Sequence, residues 1–251
     1  MGARDGGDMT FIGQVIQWFL NGSHWTGDGG IPHRLLEHVA MSGASLLAAM
    51  LIALPIGIVI GHIGRGGNLA INISNIGRAI PSFALLVIAV ELGFGIGAVP
   101  AFIALVALGI PPMVTNSYLG MREVDADVRE AARGMGMRER LILWRVELPI
   151  AIPFIMAGIR TSAVNIVATA TLAALVAWGG LGRFIVDGLG QQDYPMLYAG
   201  AILVAVLSLI VEFSLAGVQR LVTPVGLRTS KSGKEEEPLG TALDTAGILA
   251  A

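Results

Sequence analysis

The chain has 251 residues, of which 54% are hydrophobic and only 14% are charged, with a mean hydropathy of +0.73. About a quarter of the residues of an ordinary soluble domain are charged, so this composition excludes that class and predicts a membrane protein. The absence of cysteine excludes disulfides, thiolate metal sites and cysteine nucleophiles. The net charge of −2 says little by itself. From the apolar composition we expect the lipid bilayer as a partner, and we expect no nucleic acid.

The N-terminal segment, residues 1–41, is predicted to be external or interfacial. Residues 1–10 are polar and glycine-rich, and they lack the apolar core of a cleavable signal peptide. Apolar side chains recur at helical spacing in residues 9–20, but a spanning helix needs about 20 residues. We therefore expect an interfacial helix with Trp18 at the level of the lipid headgroups. Pro32 suits the first turn of a following helix that continues into the first span.

Five long apolar segments predict a polytopic all-α membrane protein whose transmembrane domain covers residues 42–225. The expected spans are residues 42–61, 69–92, 99–118, 150–177 and 196–218. The remaining residues, 226–251, turn polar and include the run KSGKEEEP. That composition predicts a disordered tail, and the orientation derived below makes it cytoplasmic.

Several residues within or beside these spans carry structural expectations. Gly57 and Gly61 form a G-x-x-x-G pair, for which packing within the chain is favoured over a dimer seam. Arg78 should not lie in lipid, so the chain that leads up to it is expected to be interfacial. The Pro111–Pro112 pair predicts a kink or a break in the third span. Residues 178–195 are predicted to form a glycine-rich loop.

The most charged part of the chain is an insert between the third and fourth spans. Its sequence is EAARGMGMRERLILWRVELP, residues 130–149. Asp127 and Glu130 have the spacing of a capping box, which predicts that a helix starts near residue 128. A polar, helix-prone insert between two membrane spans is a candidate docking surface for a soluble partner.

The second half of the insert predicts a turn and another helix. Gly134 and Gly136 favour a turn, because glycine tolerates backbone conformations that other residues resist. A second helical run is expected over roughly residues 138–147. Pro149 either ends that run or opens the next helix at its first turn.

The distribution of basic residues predicts the orientation in the membrane, because cytoplasmic loops carry an excess of Lys and Arg. If the insert is cytoplasmic, eleven of the sixteen basic residues lie inside, three lie outside and two lie at or within spans. The prediction is therefore a multi-pass protein with its N-terminus outside and its C-terminus in the cytoplasm. This orientation places the insert within reach of a cytosolic partner.

The insert resembles the EAA loop of ABC importer permeases, the membrane subunits of binding-protein-dependent transport systems. The motif of that loop is E-A-A, three residues, G, nine residues, an aliphatic residue, any residue and L-P. The residues that fill its fixed positions are Glu130, Ala131, Ala132, Gly136, Val146, Leu148 and Pro149. A solvated charged loop is the alternative, but it does not explain the complete spacing.

The resemblance implies that these seven residues couple the chain to an ATPase through a cytoplasmic loop over residues 122–149. It implies a bacterial inner-membrane complex of two permease subunits, as a homodimer or heterodimer, with ABC ATPase subunits and an extracytoplasmic substrate-binding protein. The chain has no G-x-x-x-x-G-K-[ST] motif, so ATP and Mg are expected on the partner ATPase and no cofactor on this chain. It is therefore expected to be a transporter subunit and not an enzyme.

Four further stretches resemble the osmoprotectant branch, whose members import glycine betaine, carnitine and choline. They are RAIPSFALL at 78–86, LPIAIPFIMAGIRTS at 148–162, TATLAALV at 169–176 and GGLGRFIVDGL at 179–189. The expected function is import of such solutes. The alternative is methionine or another small polar solute, because the methionine-importer permeases look similar in the five-span core. Selectivity is expected mostly in the binding protein, since the spans are poor in the aromatic faces that hold a quaternary ammonium.

Polar residues within the spans are candidates for lining the translocation pathway, because such side chains face protein or water and not lipid. The candidates are Pro81, Ser82, Arg160, Asn165, Thr169, Thr171 and Glu212. The alternative for Ser and Thr is that they only bond their own backbone. Arg160 and Glu212 are predicted to pair near the cytoplasmic half, with separate snorkelling to water as the alternative.

Two other classes stay open at this point, a membrane enzyme and a passive channel or scaffold. The four histidines, at positions 24, 33, 38 and 62, lie too far apart to suggest a metal site. No G-x-S-x-G or H-E-x-x-H motif occurs, so no catalytic or metal-binding residue is predicted. ATP hydrolysis that requires an added ATPase would argue against an enzyme, and flux without energy would support a channel.

Overall fold

The computed structural model describes residues 10–224, apart from the side chains of Leu69, Ala70, Ile73 and Arg78. The secondary structure of this part of the chain is helical, which confirms the all-α prediction. The predictions about residues 1–9, the tail 226–251 and the Arg78 side chain lie outside the described residues.

The described part of the chain contains ten α-helices, numbered here in chain order. They are α1 Phe11–Leu20, α2 Ile31–Ile63, α3 Gly67–Ala79, α4 Ser82–Ala89, α5 Ala98–Arg122, α6 Ala126–Gly134, α7 Glu139–Ile142, α8 Leu148–Thr169, α9 Gly182–Gln191 and α10 Tyr194–Val222. π-helical turns extend α4 through Val90–Phe94 and α7 through Leu143–Glu147, and a 3₁₀ segment extends α8 through Ala170–Val176. A shorter 3₁₀ turn, Gly22–Trp25, follows α1.

Four helical stretches among the described residues are long and apolar enough to cross a membrane. They are Ile31–Ile63, Ala98–Arg122, Glu139–Val176 and Tyr194–Val222. The predicted second span, 69–92, is instead divided between α3 and α4, and Ile80 between them is extended. Pro81 explains the division, because it cannot continue α3 and it disfavours helical geometry at the residue before it. The total of five spans stays a prediction.

α5 lies at the centre of the bundle, packed against α2 and α8 as well as α3 and α4. It runs through Pro111 and Pro112 as one helix, so the predicted alternative of a break is wrong. Ser162 on α8 donates a 2.7 Å hydrogen bond to the carbonyl of Gly109, and Asn116 donates one of 2.8 Å to the carbonyl of Pro112.

The contact between α2 and α5 uses a stripe of small residues on α2. Its buried members recur every three or four positions: Ser42, Ser45, Ala49, Ala53, Gly57 and Gly61. A Cβ added at Gly57 would lie 2.7 Å from the Ser117 Cβ, and one at Gly61 would overlap Met121. The G-x-x-x-G pair therefore packs within the chain, as predicted. Pro32 lies in the first turn of α2, also as predicted.

The region after α8 is more ordered than the sequence suggested, because α9 occupies most of the predicted loop 178–195. α9 packs on α10, where a Cβ at Gly200 would lie 2.8 Å from the Phe184 Cβ. Trp18 of α1 joins this core with 7% of its surface exposed, its ring centroid 5.5 Å from that of Phe184. The face of α1 that carries Trp18 therefore packs on protein, while the level of Trp18 in the bilayer stays a prediction.

Candidate functional site

The charged insert folds into a hairpin of α6 and α7 between the end of α5 and the start of α8. Asp125 caps α6, since its side chain accepts the backbone N–H of Asp127 at 2.9 Å. The helix starts at Ala126, so the predicted capping box of Asp127 and Glu130 is wrong. Asp127 lies in the first turn instead, where its charge opposes the positive end of the helix. α5 ends at Arg122, three residues before this cap.

The turn after α6 depends on Gly136, which has a φ of +80°. The N–H of Met137 bonds the carbonyl of Ala132 at 3.1 Å, and the N–H of Gly136 bonds that of Arg133 at 2.9 Å. This pair of bonds is a Schellman motif, whose left-handed position favours glycine. A Cβ at Gly136 would meet nothing within 4 Å, so the requirement is conformational and not steric. Gly134, in contrast, is the last residue of α6.

The second helical run passes into the membrane without a break. α7 continues through its π-helical turn into α8, and Pro149 lies in the first turn of α8. Of the two roles predicted for Pro149, the structure therefore shows the opening of a helix. Val146, Leu148 and Pro149 are partly buried, and Leu148 packs against the core around Met121.

One face of α6 is exposed and carries apolar side chains, which we call the docking face. It consists of Val128, Ala131 and Met135, with Glu130 beside them; Val128 is 43% exposed and Met135 is 76% exposed. Their spacing of three and four residues aligns them on one side of the helix. Ala132 points the other way and is only 2% exposed, so it does not lie on the docking face. Its part in coupling stays a prediction.

The inner face of α6 holds a buried ion cluster that the sequence did not reveal. Glu147 is 1% exposed, its Oε1 lies 2.9 Å from Arg129 Nε, and its Oε2 lies 2.5 Å from His62 Nδ1. Arg129 also donates to the carbonyl of Met121 in the last turn of α5. Glu147 occupies the position where the motif allows any residue. One feature of the sequence could have indicated that Glu147 is buried, because this carboxylate stands between Val146 and the apolar run that begins at Leu148.

A second ion pair joins α6 to α7 on the surface. Arg133 Nε lies 2.8 Å from Glu139 Oε1, and both side chains are about half exposed. An exposed pair of this kind contributes little to stability, so it closes the hairpin without locking it. A cleft of about 440 Å³ lies beside it, lined by Gly136, Arg138, Arg140, Leu141 and Trp144.

The predicted pathway residues are not all brought together by the structure. Ser82 and Thr169 line one crevice, together with side chains of α5. Asn165 is exposed on α8, one turn after the exposed Thr161, whereas Pro81 is exposed just before α4. The Oγ1 of Thr171 donates to the carbonyl of Ala168 at 2.8 Å, which is the backbone bond that the alternative predicted.

Arg160 on α8 and Glu212 on α10 form the predicted ion pair. Arg160 Nη1 also donates to Gln219 at 2.6 Å, and Gln219 donates to the carbonyl of Pro153 at 3.0 Å. The side chains of Arg160 and Glu212 are 29% and 33% exposed. Both charges therefore have partners within the bundle and need not snorkel separately, while a role in the pathway stays a prediction.

The other three histidines each lie close to a carbonyl or a carboxylate of the chain. His24 Nδ1 lies 2.8 Å from the carbonyl of Trp18, and the buried His38 Nε2 lies 2.9 Å from that of Val167. His33 faces Glu37 at 3.3 Å. Between residues 10 and 224, no three His, Asp or Glu side chains are grouped in a way that could hold a metal ion.

Comparison with known families decides what kind of membrane protein carries this hairpin. Residues 53–224 match the family described as binding-protein-dependent transport system inner membrane component. The chain belongs to this family. It is therefore a permease subunit of an ABC transporter and a component of the inner membrane.

Individual relatives cover most of the chain. It is 35% identical to the choline transport system permease protein OpuBB of Bacillus subtilis, over 82% of this chain and 94% of that protein. It is also 35% identical to the glycine betaine/carnitine/choline permease OpuCB of the same organism, with the same coverage. The osmoprotectant import permease OsmW of Salmonella typhimurium is 31% identical, over 76% and 91% of the two chains.

Solved structures of the MetNI methionine ABC transporter in inward-facing conformations share the fold. One matches with a TM-score of 0.65 and 26% identity, covering 75% of this chain and 94% of that chain. Another crystal form matches with a TM-score of 0.64 and 24% identity, over 86% and 100% of the two chains. The helical arrangement is thus that of an ABC importer permease.

Proposed function

We propose that this permease subunit imports osmoprotectants of the glycine betaine, choline and carnitine type in an ATP-driven complex. The solute class rests on the relatives, whose names specify choline, carnitine and glycine betaine. The observation that carries the coupling mechanism is the docking face of α6, which is apolar, exposed and held by a cap at one end and a left-handed glycine at the other.

Coupling would work by insertion of α6 into a groove of a separate ABC ATPase. Val128 and Met135 supply apolar surface, Ala131 between them allows close approach, and Glu130 supplies a charge at the edge. Because α7 continues without a break into α8, movement of the hairpin would reach the transmembrane bundle along a continuous helical backbone. ATP and Mg would be held by the ATPase, with no cofactor on this chain.

The rest of the proposal concerns the orientation of the chain in the membrane and the other subunits of the complex. The hairpin would face the cytoplasm, with the N-terminus outside and the C-terminus inside. A substrate-binding protein would deliver the solute from outside, and a second permease subunit, identical or different, would complete the pathway. Ser82 and Thr169, which share a crevice, and the exposed Asn165 on α8 support a pathway along this side of the bundle.

The test is reconstitution in proteoliposomes with a candidate ABC ATPase and a candidate binding protein from the same organism. Uptake of labelled glycine betaine, choline, carnitine and methionine is measured with ATP or with a non-hydrolysable analogue. We expect ATP-dependent uptake that unlabelled osmoprotectants inhibit and methionine does not. Inhibition by methionine alone would assign the chain to the alternative solute, and uptake without ATP would contradict the mechanism.

A further inference from the structure

Glu147 is the most deeply buried carboxylate in the hairpin region, and its position joins separate helices. Its two oxygens face Arg129 on α6 at 2.9 Å and His62 on α2 at 2.5 Å. Glu147 itself ends the π-helical turn that leads into α8. Through Arg129, which donates to the carbonyl of Met121, the cluster also reaches the end of α5.

The cluster differs from the Arg133–Glu139 pair in its burial and in the sequence separation of the residues that it joins. Arg133 and Glu139 join two neighbouring helices of the same hairpin on the surface, where solvent weakens the interaction. Glu147 is 1% exposed, and its partner His62 lies 85 positions earlier in the chain. A buried carboxylate is costly unless it is paired, so the folded state strongly favours keeping both partners in place.

The docking face and the cluster lie on opposite sides of α6. Ala131 and Met135 point outward, whereas Arg129 and Ala132 point into the chain. Any force on the outer face is therefore transmitted through the inner face. Apolar packing such as that of Ala132 can slide, whereas hydrogen bonds of charged groups fix direction and distance. Arg129 makes such a bond to the carbonyl of Met121, His62 makes one with Glu147, and the ion pair of Arg129 with Glu147 connects the two.

We infer that Glu147, with Arg129 and His62, forms a rigid link through which movement of α6 is transmitted to α2, α5 and α8. This inference rests on the proposed function, because it assumes that an ATPase grips the docking face. Glu147 is thus a positioning residue that the coupling motif leaves unspecified. Without its charge, α6 would still bind the ATPase, but its movement would be poorly conveyed to the transmembrane helices.

The test compares Glu147→Gln with the unaltered protein in the complete complex, reconstituted in proteoliposomes. ATP hydrolysis stimulated by solute-loaded binding protein and solute uptake are measured on the same vesicles. We expect the number of solutes imported per ATP to fall by at least about fivefold while the ATPase still copurifies. A misfolded fraction would lower both rates in proportion and leave this ratio unchanged, so the ratio separates coupling from folding.

Asp187→Asn is the matched control. It removes a carboxylate from the Arg183–Asp187 pair on α9. The hairpin precedes α8 and α9 follows it, so this change should leave the ratio unchanged. His62→Asn is the second variant; it removes one arm of the cluster but leaves Arg129 with Glu147. It should lower the ratio in the same direction, even where Glu147→Gln fails to fold.

The inference would be overturned if every cluster variant that assembles imported as many solutes per ATP as the unaltered complex. This includes a result in which uptake and ATP hydrolysis fall in proportion. Failure of the proposed function is seen separately, because the unaltered complex would then show no uptake that depends on ATP and the binding protein. A lowered ratio in the cluster variants, with the Asp187→Asn ratio intact, would support the link.

Discussion

Arg160 on α8 and Glu212 on α10 form an ion pair that ties these two transmembrane helices together. Gln219, two turns after Glu212, accepts a 2.6 Å hydrogen bond from Arg160 and donates one to the carbonyl of Pro153. The contact therefore also fixes α10 near a proline inside α8. Polar contacts of this kind orient membrane helices whose apolar surfaces alone are poorly selective.

Reversal of this pair should show whether the charges act on each other. We expect Arg160→Glu or Glu212→Arg alone to lower uptake and thermal stability, because each leaves two like charges together. Breaking a fully buried pair costs about 3–5 kcal/mol. These groups are 29% and 33% exposed, so a smaller loss is expected. The double variant Arg160→Glu with Glu212→Arg should recover much of both properties, and no recovery would mean that the two charges act independently.

The two glycines of the hairpin should respond oppositely to alanine. Gly136 has a φ of +80°, where an added Cβ costs about 1–2 kcal/mol, so Gly136→Ala should weaken the turn. Gly134→Ala is the control, since it lies in α6 with no atom within 4 Å of an added Cβ. That change should be neutral or stabilise α6 by up to about 1 kcal/mol. Uptake and copurification of the ATPase are the measurements; equal effects of the two changes would contradict the conformational argument.

Neighbouring alanines should separate docking from folding. Ala131 is exposed, so Ala131→Trp should abolish copurification of the ATPase while the thermal midpoint of the purified subunit stays unchanged. Ala132 is 2% exposed, so Ala132→Leu should overpack the interior and lower stability by about 1–3 kcal/mol. If Ala131→Trp retained full binding to the ATPase, the docking face would lie elsewhere.

The orientation can be tested by labelling, because the chain has no cysteine of its own. Met135→Cys places a thiol on the docking face, and Gly29→Cys places one before α2, where an added side chain meets nothing within 4 Å. In intact spheroplasts that express the permease without its ATPase, a membrane-impermeant maleimide should label Cys at position 29 and leave position 135 unlabelled until the membrane is opened. The reverse pattern would place the hairpin outside and exclude contact with a cytosolic ATPase.

Much of the hairpin could be predicted because its signals are local. Gly136 fits a turn whatever surrounds it, and Pro149 fits the first turn of a helix. The Arg160–Glu212 pair was also accessible, since two opposite charges in apolar helices have few other partners. The cap of α6 was predicted wrongly, since the sequence pattern favoured Asp127 and the structure caps the helix with Asp125.

The sequence by itself determined the class of protein, the apolar helices and the place of the coupling insert, because composition, periodicity and spacing are properties of short segments. Only the tertiary structure decided which side chains lie inside. Trp18 became a core residue because α9 and α10 pack on it, and Glu147 became the centre of an ion cluster because α2 carries His62 to it from 85 positions away. Burial depends on neighbours that are distant in sequence, and no pattern within one segment contains that information.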